Sequence, residues 1–399
     1  MKKPLLVLFV FSAIVLAGFV LSAASSPDYT LHEWGTFTSV SGADGALLPG
    51  LEQEEEALPG FVKSHDGMWP GSHGGLMNGL AMKGYSRPLH NVTIKMETPV
   101  IYFYTTNSFV ANVHVGFNGG SISQWFPERA GGETPPPYTV NLTNGRYVGG
   151  EIDFAKPFSG SIEWNVQVQP PAANDSMAVF KPHETLTWTY PRQTDSATVR
   201  TQLGEAEKFL FYRGVGNFPL PVKFTFLDGD TLQITNNSDS TIPTLLLFNH
   251  PTYLDQASFT LLDPLKPGES RVVKISNQAT TNWQHDVYAA MRTALVQAGL
   301  FPKEADAMLQ TWWRSYFERQ GLRVFWIVPE NFTRSVLPLT VEPTPHQQVR
   351  VLVGRSELLT PRFELALQSQ FTNDVENPWR GDRFFSAYEA RVNTLNAAK

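Results

Sequence analysis

Cysteine is absent from all 399 residues. That absence excludes disulfides and thiolate metal sites, and it excludes a lipid anchor, which needs a cysteine at its cleavage point. A large exported chain without cysteine fits a bacterial envelope. Charge is also scarce, at 17% of residues against about 25% in typical soluble domains. The formal charge of −6 gives no basic field for nucleic acid. Long apolar runs are missing beyond residue 21, so only the first segment has the length to cross a bilayer. Among motifs, there is no Gly-x-Ser-x-Gly, no phosphate loop, no dinucleotide fingerprint and no His-Glu-x-x-His. No internal repeat stands out.

The amino terminus carries two lysines, an apolar run over 5–21 and the small residues Ser22-Ala23-Ala24. This is the layout of a secretory signal cut after Ala24, with an uncleaved membrane anchor as the alternative. Hydrophobic residues at 42% supply sizeable cores, and 30 Gly with 29 Pro punctuate them, which points to many strands joined by turns.

Periodicity divides the chain. Residues 1–24 are the leader, and 25–90 hold the strand "TLHEWGTFTSV" and a long glycine-rich loop. Residues 91–202 alternate as an antiparallel β domain that includes "GSIEWNVQVQP" and "ETLTWTYPR". Residues 203–280 read as an immunoglobulin-like β-sandwich block, with Asp228-Gly229 as a hairpin turn. At 281–321 the period changes from two to 3.6 and predicts a helical hairpin, with Gly299 and Gly321 as stops and Pro302 near a start. A mixed strand and helix unit with a tail occupies 322–399: "LRVFWIVP" reads as a buried strand with "VLPLTVEP" and "QVRVLVG" as pairing partners, "TPRFELALQSQF" as a helix capped by Thr360 with Pro361 first, and the tail from Thr372 as surface-bound or partly ordered. The expected fold is mainly β with an α+β C-terminal part: antiparallel β-sandwich modules with a helical hairpin packed on them. The acidic run "EQEEE" after Leu51 reads as a solvated loop or a short acidic helix.

Chemistry has four candidate carriers. Four early histidines, His32, His65, His73 and His90, are residue types that ligate a divalent transition metal. Glu97, ahead of Pro99 and the aromatic run "IYFY", and Glu207 are candidate catalytic carboxylates beside strands. Trp69 and Trp125, next to prolines, are expected as exposed stacking residues, and Tyr212 and Arg213 as ligand contacts. The leading functional reading is an exported protein, secreted or periplasmic, that binds or assembles at or outside the envelope. Its partner is then a glycan or envelope component, with membrane contact only through an uncleaved leader. The alternative is a secreted hydrolase, metal-assisted through the histidines or acid/base through the carboxylates. Alternation along "LHEWG" puts His32 and Trp34 on one face and Glu33 on the other, and Gly35 within it suggests a bulge or a close backbone approach.

Overall fold

The computed structural model describes residues 27–54, 58–65, 84–85, 88–133, 141–143, 146–148, 152–171, 186–251, 256–372 and 377–398. Strands make up 41% of the molecule and helices 22%, so it is mostly β, with several sheets and a few helices.

Strands are numbered in chain order. A nine-stranded sheet holds β1 (Tyr29–Ser41), β2 (Lys63–Ser64), β4 (Ile94–Thr105), β6 (Gly120–Phe126) and β13 (Leu210–Gly216). It continues with β16 (Leu245–His250), β17 (Ser258–Leu262), β19 (Gly321–Ile327) and β21 (Gln347–Leu358). A five-stranded sheet holds β5 (Phe109–Asn118), β10 (Ser159–Gln169), β11 (Thr198–Thr201), β12 (Ala206–Glu207) and β20 (Leu339–Glu342). A three-stranded sheet holds β14 (Val222–Phe226), β15 (Thr231–Asn236) and β18 (Ser270–Lys274). The short pairs are β3 (Leu89–His90) with β9 (Ile152–Asp153), and β7 (Asn141–Thr143) with β8 (Arg146–Val148). The helices are α1 (Leu186–Thr189), α2 (Trp283–Gln297), α3 (Pro302–Phe317), α4 (Glu330–Val336), α5 (Pro361–Gln370) and α6 (Phe385–Ala397).

The nine-stranded sheet runs β17-β16-β19-β21-β1-β4-β13-β6-β2. β1 lies near its centre, parallel to β21 on one side and antiparallel to β4 on the other. One face of this sheet shares a core with the five- and three-stranded sheets, through Leu31, Ile101, Tyr212, Val113, Trp164 and Ile234 among others. The alternation of β10 explains its place: Ile162, Trp164, Val166 and Val168 are buried while Glu163 is exposed on the other side. The opposite face is covered in two parts. Hairpin α2–α3 packs on Trp34, Tyr102, Phe325 and Val353, and α5 with α6 packs on Val40, Leu48, Val215 and Leu359.

Several elements sit where periodicity put them. Ala305, Leu309, Trp312 and Tyr316 form the buried stripe of α3, each about 1% exposed or less. Gly299 takes φ +115° after α2, a conformation that costs a glycine little. Thr360 caps α5 by accepting from the Phe363 N–H, with Pro361 in the first turn. Asp228 closes the β14–β15 hairpin by accepting from the N–H groups of Asp230 and Thr231.

Other expectations are corrected. "LTWT", expected in a strand, is α1, because Trp188 is drawn into the core beneath the hairpin and bonds Glu207. Strand β20 joins the five-stranded sheet beside β5 instead of pairing with β19. Within 203–280, β13, β16 and β17 belong to the nine-stranded sheet and only β14, β15 and β18 form a sheet of their own. The tail beyond Thr372 contributes α6, held by Phe384, Ala387, Tyr388 and Val392 in the third core cluster.

Candidate functional site

The "HEW" triplet anchors three different contacts. His32 Nδ1 lies 2.7 Å from Glu304 Oε2 on α3, and the His32 ring stacks on Phe301 at 4.3 Å. Glu304 also accepts from the Tyr104 hydroxyl and from the Phe301 N–H, so this carboxylate ties the start of α3 to the sheet. Glu33, on the other face, accepts from Arg350 Nε at 2.5 Å and from the Tyr212 hydroxyl. Burial, then the Glu33 carboxylate, push the Tyr212 hydroxyl well above the ordinary tyrosine range. Trp34 fills the core beneath the hairpin.

Just beyond the triplet, three adjacent strand pairs break register at one level. The shifts fall between Trp34 and Thr36 on β1, Phe211 and Gly214 on β13 against β4, and Arg213 and Gly214 on β13 against β6. Bulges re-aim side chains. A Cβ on Gly35 would come within 2.9 Å of Pro99 Cα, so the close approach there is by β4. Thr98 takes φ +48°, a strained conformation for a β-branched residue. The row turns Glu97 and Arg213 toward each other, Nη2 to Oε2 at 3.3 Å, and Arg213 Nη1 meets Glu54 Oε2 at 2.6 Å. Two of the residues named separately from sequence are therefore brought together. The described start of the acidic run is turned inward at Gln53, which is buried, and at Glu54, which pairs with a buried arginine, and this corrects the solvated reading for those two residues.

A second buried cluster lies nearby. Glu357 accepts from Arg323, Arg355 and Arg383. Burial alone would raise its pKa, but the three guanidinium groups outweigh that and hold the carboxyl below its usual range. Burial lowers Arg323 to about 10. The Phe384 ring lies 4.9 Å from Lys95 Nζ and 4.8 Å from the Arg383 guanidinium carbon, on the edge of this cluster.

The remaining candidates lie apart. Glu207 is buried and bound by Arg192 Nη2 at 2.7 Å and by Trp188 Nε1 at 2.9 Å. Trp125 is 3% exposed, which corrects its placement on the surface: it faces the shared core and carries Arg129 over its ring at 4.2 Å. Tyr212 is fully buried. His65 bonds the Ile122 carbonyl oxygen and stacks on Tyr85. His90 is exposed on β3 opposite Asp153. Among the described residues, no group of three or more histidine and acidic side chains could hold a metal ion. Trp69 and His73 lie outside the described residues.

An accessible feature stands at the far edge of the nine-stranded sheet. Strand β17, "SFTLL", is the terminal strand and carries neither charge nor proline. The edges of the other larger sheets carry charge: Glu207 on β12, Glu342 on β20, Lys223 on β14, Arg271 and Lys274 on β18. So does β2, through Lys63. Beside β17, Leu261 is 53% exposed and borders a groove of about 310 Å³. Its other wall is α2, through Ala289, Ala290, Thr293, Ala294 and Gln297, with Thr244 at one end. Sequence reading missed this edge, although the uncharged run flanked by turns was its signal.

No family model matches the chain, and no curated protein does. Similar solved structures include the Fcho1 mu homology domain of Danio rerio with bound Eps15 peptide, at 8% identity and a TM-score of 0.31, covering 85% of this chain and 100% of that one. The yeast delta-COP-I mu-homology domain is similar at 6% identity and a TM-score of 0.28, covering 84% of this chain and 98% of that one. The same yeast domain complexed with the Dsl1 WxWxV peptide gives 6% identity and a TM-score of 0.25, covering 84% and 96%. The expectation of an exported envelope protein, secreted or periplasmic, finds no support in these likenesses and is withdrawn. TM-scores this low give the likeness no weight in assigning this chain a role. Residues 1–24, read from sequence as a leader, lie outside the described residues, and among the described residues no helix is long and apolar enough to cross a membrane.

Proposed function

We propose that this protein binds an extended peptide segment by strand addition at β17. In this reading the nine- and five-stranded sheets are a β-sandwich scaffold with the hairpin α2–α3 packed on it. The carrying observation is the uncharged terminal strand beside the α2 groove. An unpaired edge presents a row of N–H and C=O groups ready to pair with another chain, and charge or proline ordinarily blunts it. Strand addition draws affinity from those main-chain bonds, while alternate side chains of the guest enter flanking pockets for specificity. Ala289, Thr293 and Gln297 recur every four residues along α2, so one helical face forms the wall. Apolar guest side chains would be buried between that wall and Leu261.

The buried clusters around Glu97–Arg213 and Glu357 serve the scaffold in this reading, fixing where the two helical covers sit. The test is selection of displayed random dodecapeptides on the purified chain, followed by affinity measurement on two variants. Leu261→Lys places a gatekeeper charge on the edge, and Ala289→Trp fills the groove from an exposed helical position. Both should abolish binding and leave unfolding free energies within about 0.5 kcal/mol of the parent. Peptides that bind both variants as tightly as the parent would overturn the reading, as would a selection that retains none.

A further inference from the structure

The pairing of β16 decides which main-chain groups β17 leaves open. The Ile327 N–H donates to the Thr244 carbonyl oxygen, so Thr244, Leu246 and Phe248 turn their main-chain groups toward β19. Successive residues of a strand point their N–H and C=O to alternate sides. Leu245, Leu247 and Asn249 therefore face β17, where they pair with Leu262, Thr260 and Ser258. The residues between, Phe259 and Leu261, turn their main-chain groups outward.

Both ends of that outward row are already taken. Ala257, two residues before Phe259, accepts at its carbonyl oxygen from the Thr280 N–H. Asp263, two residues after Leu261, accepts at its carbonyl oxygen from Arg271 Nη1 at 2.5 Å, and Arg271 Nη2 reaches the Pro264 carbonyl oxygen at 3.1 Å. Between these stops, among the described residues, the N–H and C=O groups of Phe259 and Leu261 have no hydrogen-bond partner. The open edge is a short window, bounded by the protein's own donors.

An antiparallel guest fills this window with three residues. Its bonds run perpendicular to the strands, and the residues facing Leu261 and Phe259 each exchange both main-chain bonds. A parallel guest takes slanted bonds and needs five residues to reach the same groups, which brings its ends beside Ser258 and Leu262, up against both stops. In the antiparallel pairing the two bonded guest residues put their side chains on the face of Phe259 and Leu261, which is the hairpin side. The first of them, opposite Leu261, enters the groove. Its lining of Ala289, Ala290, Thr293 and Ala294 carries no charge, so a charged guest side chain would lose hydration there without return.

We infer that the guest is an antiparallel segment paired over three residues and uncharged at the first, with Arg271 as the stop that sets its register. The inference rests on the strand-addition reading and narrows it to one class of peptide.

A dodecapeptide from the selection, N-methylated at one amide at a time, provides the test. On the parent, two amides spaced two residues apart should be sensitive, each methyl weakening binding about tenfold through the lost main-chain bond. Lys at the first of those residues should weaken binding as much, and Lys at the residue between them should be tolerated. On Arg271→Ala the Asp263 carbonyl is open. A third amide, two residues before the first, should become sensitive there, and the unmethylated peptide should bind about five- to tenfold tighter. One sensitive amide on the parent, or three and more, overturns the register without recourse to any variant. An unchanged scan on Arg271→Ala, shown to be folded by denaturant titration, overturns the stop. Lys tolerated at the first sensitive residue but not between the two means a parallel guest and overturns the orientation. In each of these cases strand addition stands. A scan with no sensitive amide, or binding that ignores Leu261→Lys, overturns strand addition itself, so the failures are told apart.

Discussion

Glu33 and Arg350 are paired across the two central parallel strands, both almost fully buried. Taking two charges out of water is costly, and removing one partner leaves the other uncompensated. Glu33→Gln is therefore expected to lower the unfolding free energy by about 3–5 kcal/mol in denaturant titrations. The double variant Glu33→Leu, Arg350→Met replaces the pair with apolar side chains and should recover much of that loss. A double variant less stable than Glu33→Gln would show that the pair itself favours the fold. Sequence alternation correctly assigned His32 and Glu33 to opposite faces. It was silent on their partners, because Glu304 is 272 residues from His32 and Arg350 is 317 residues from Glu33. Only the packing of α3 and the parallel pairing of β21 bring those groups near.

At the scale of elements, the hairpin α2–α3 is locked by Asp306, which accepts from Arg292 and from the Tyr288 hydroxyl. Partial burial alone would raise the Asp306 pKa, but those two hydrogen bonds outweigh it and hold the carboxyl below its ordinary value. A depressed folded-state pKa contributes stability that is complete above the unfolded value, near 3.9, and is lost as pH falls through the folded one. Asp306→Asn should thus lower stability at neutral pH and make the acid limb of the pH–stability profile shallower. Profiles of parent and variant that run parallel below pH 4 would remove Asp306 from the acid response. The hairpin was legible because an amphipathic repeat, a proline start and glycine stops are local signals. Helix α1 was not: three of its four residues are of β-favouring type and became helical because Trp188 had a core to fill.

For the whole molecule, the order of the nine-stranded sheet decides cooperativity. β1 is flanked by β4 and β21, so residues near both ends of the described chain complete one sheet. Unfolding should appear as a single transition that coincides by far-UV and near-UV circular dichroism. Two separated transitions would mean that one part of the chain holds its structure without the other. The many non-local pairings also predict slow folding compared with helical bundles of similar length.

Composition and periodicity by themselves determined that the chain is mostly β, where its hairpin and α5 lie, and that cysteine chemistry is absent, since each follows from local residue type and spacing. The tertiary structure alone decided which charges meet: Glu97 with Arg213 and Glu54, Glu33 with Arg350, Glu357 with three arginines. It also decided that β17 stands at an edge beside α2. Strand order and long-range pairing are set by the burial of whole faces against one another, and no window of sequence contains both partners of such a contact.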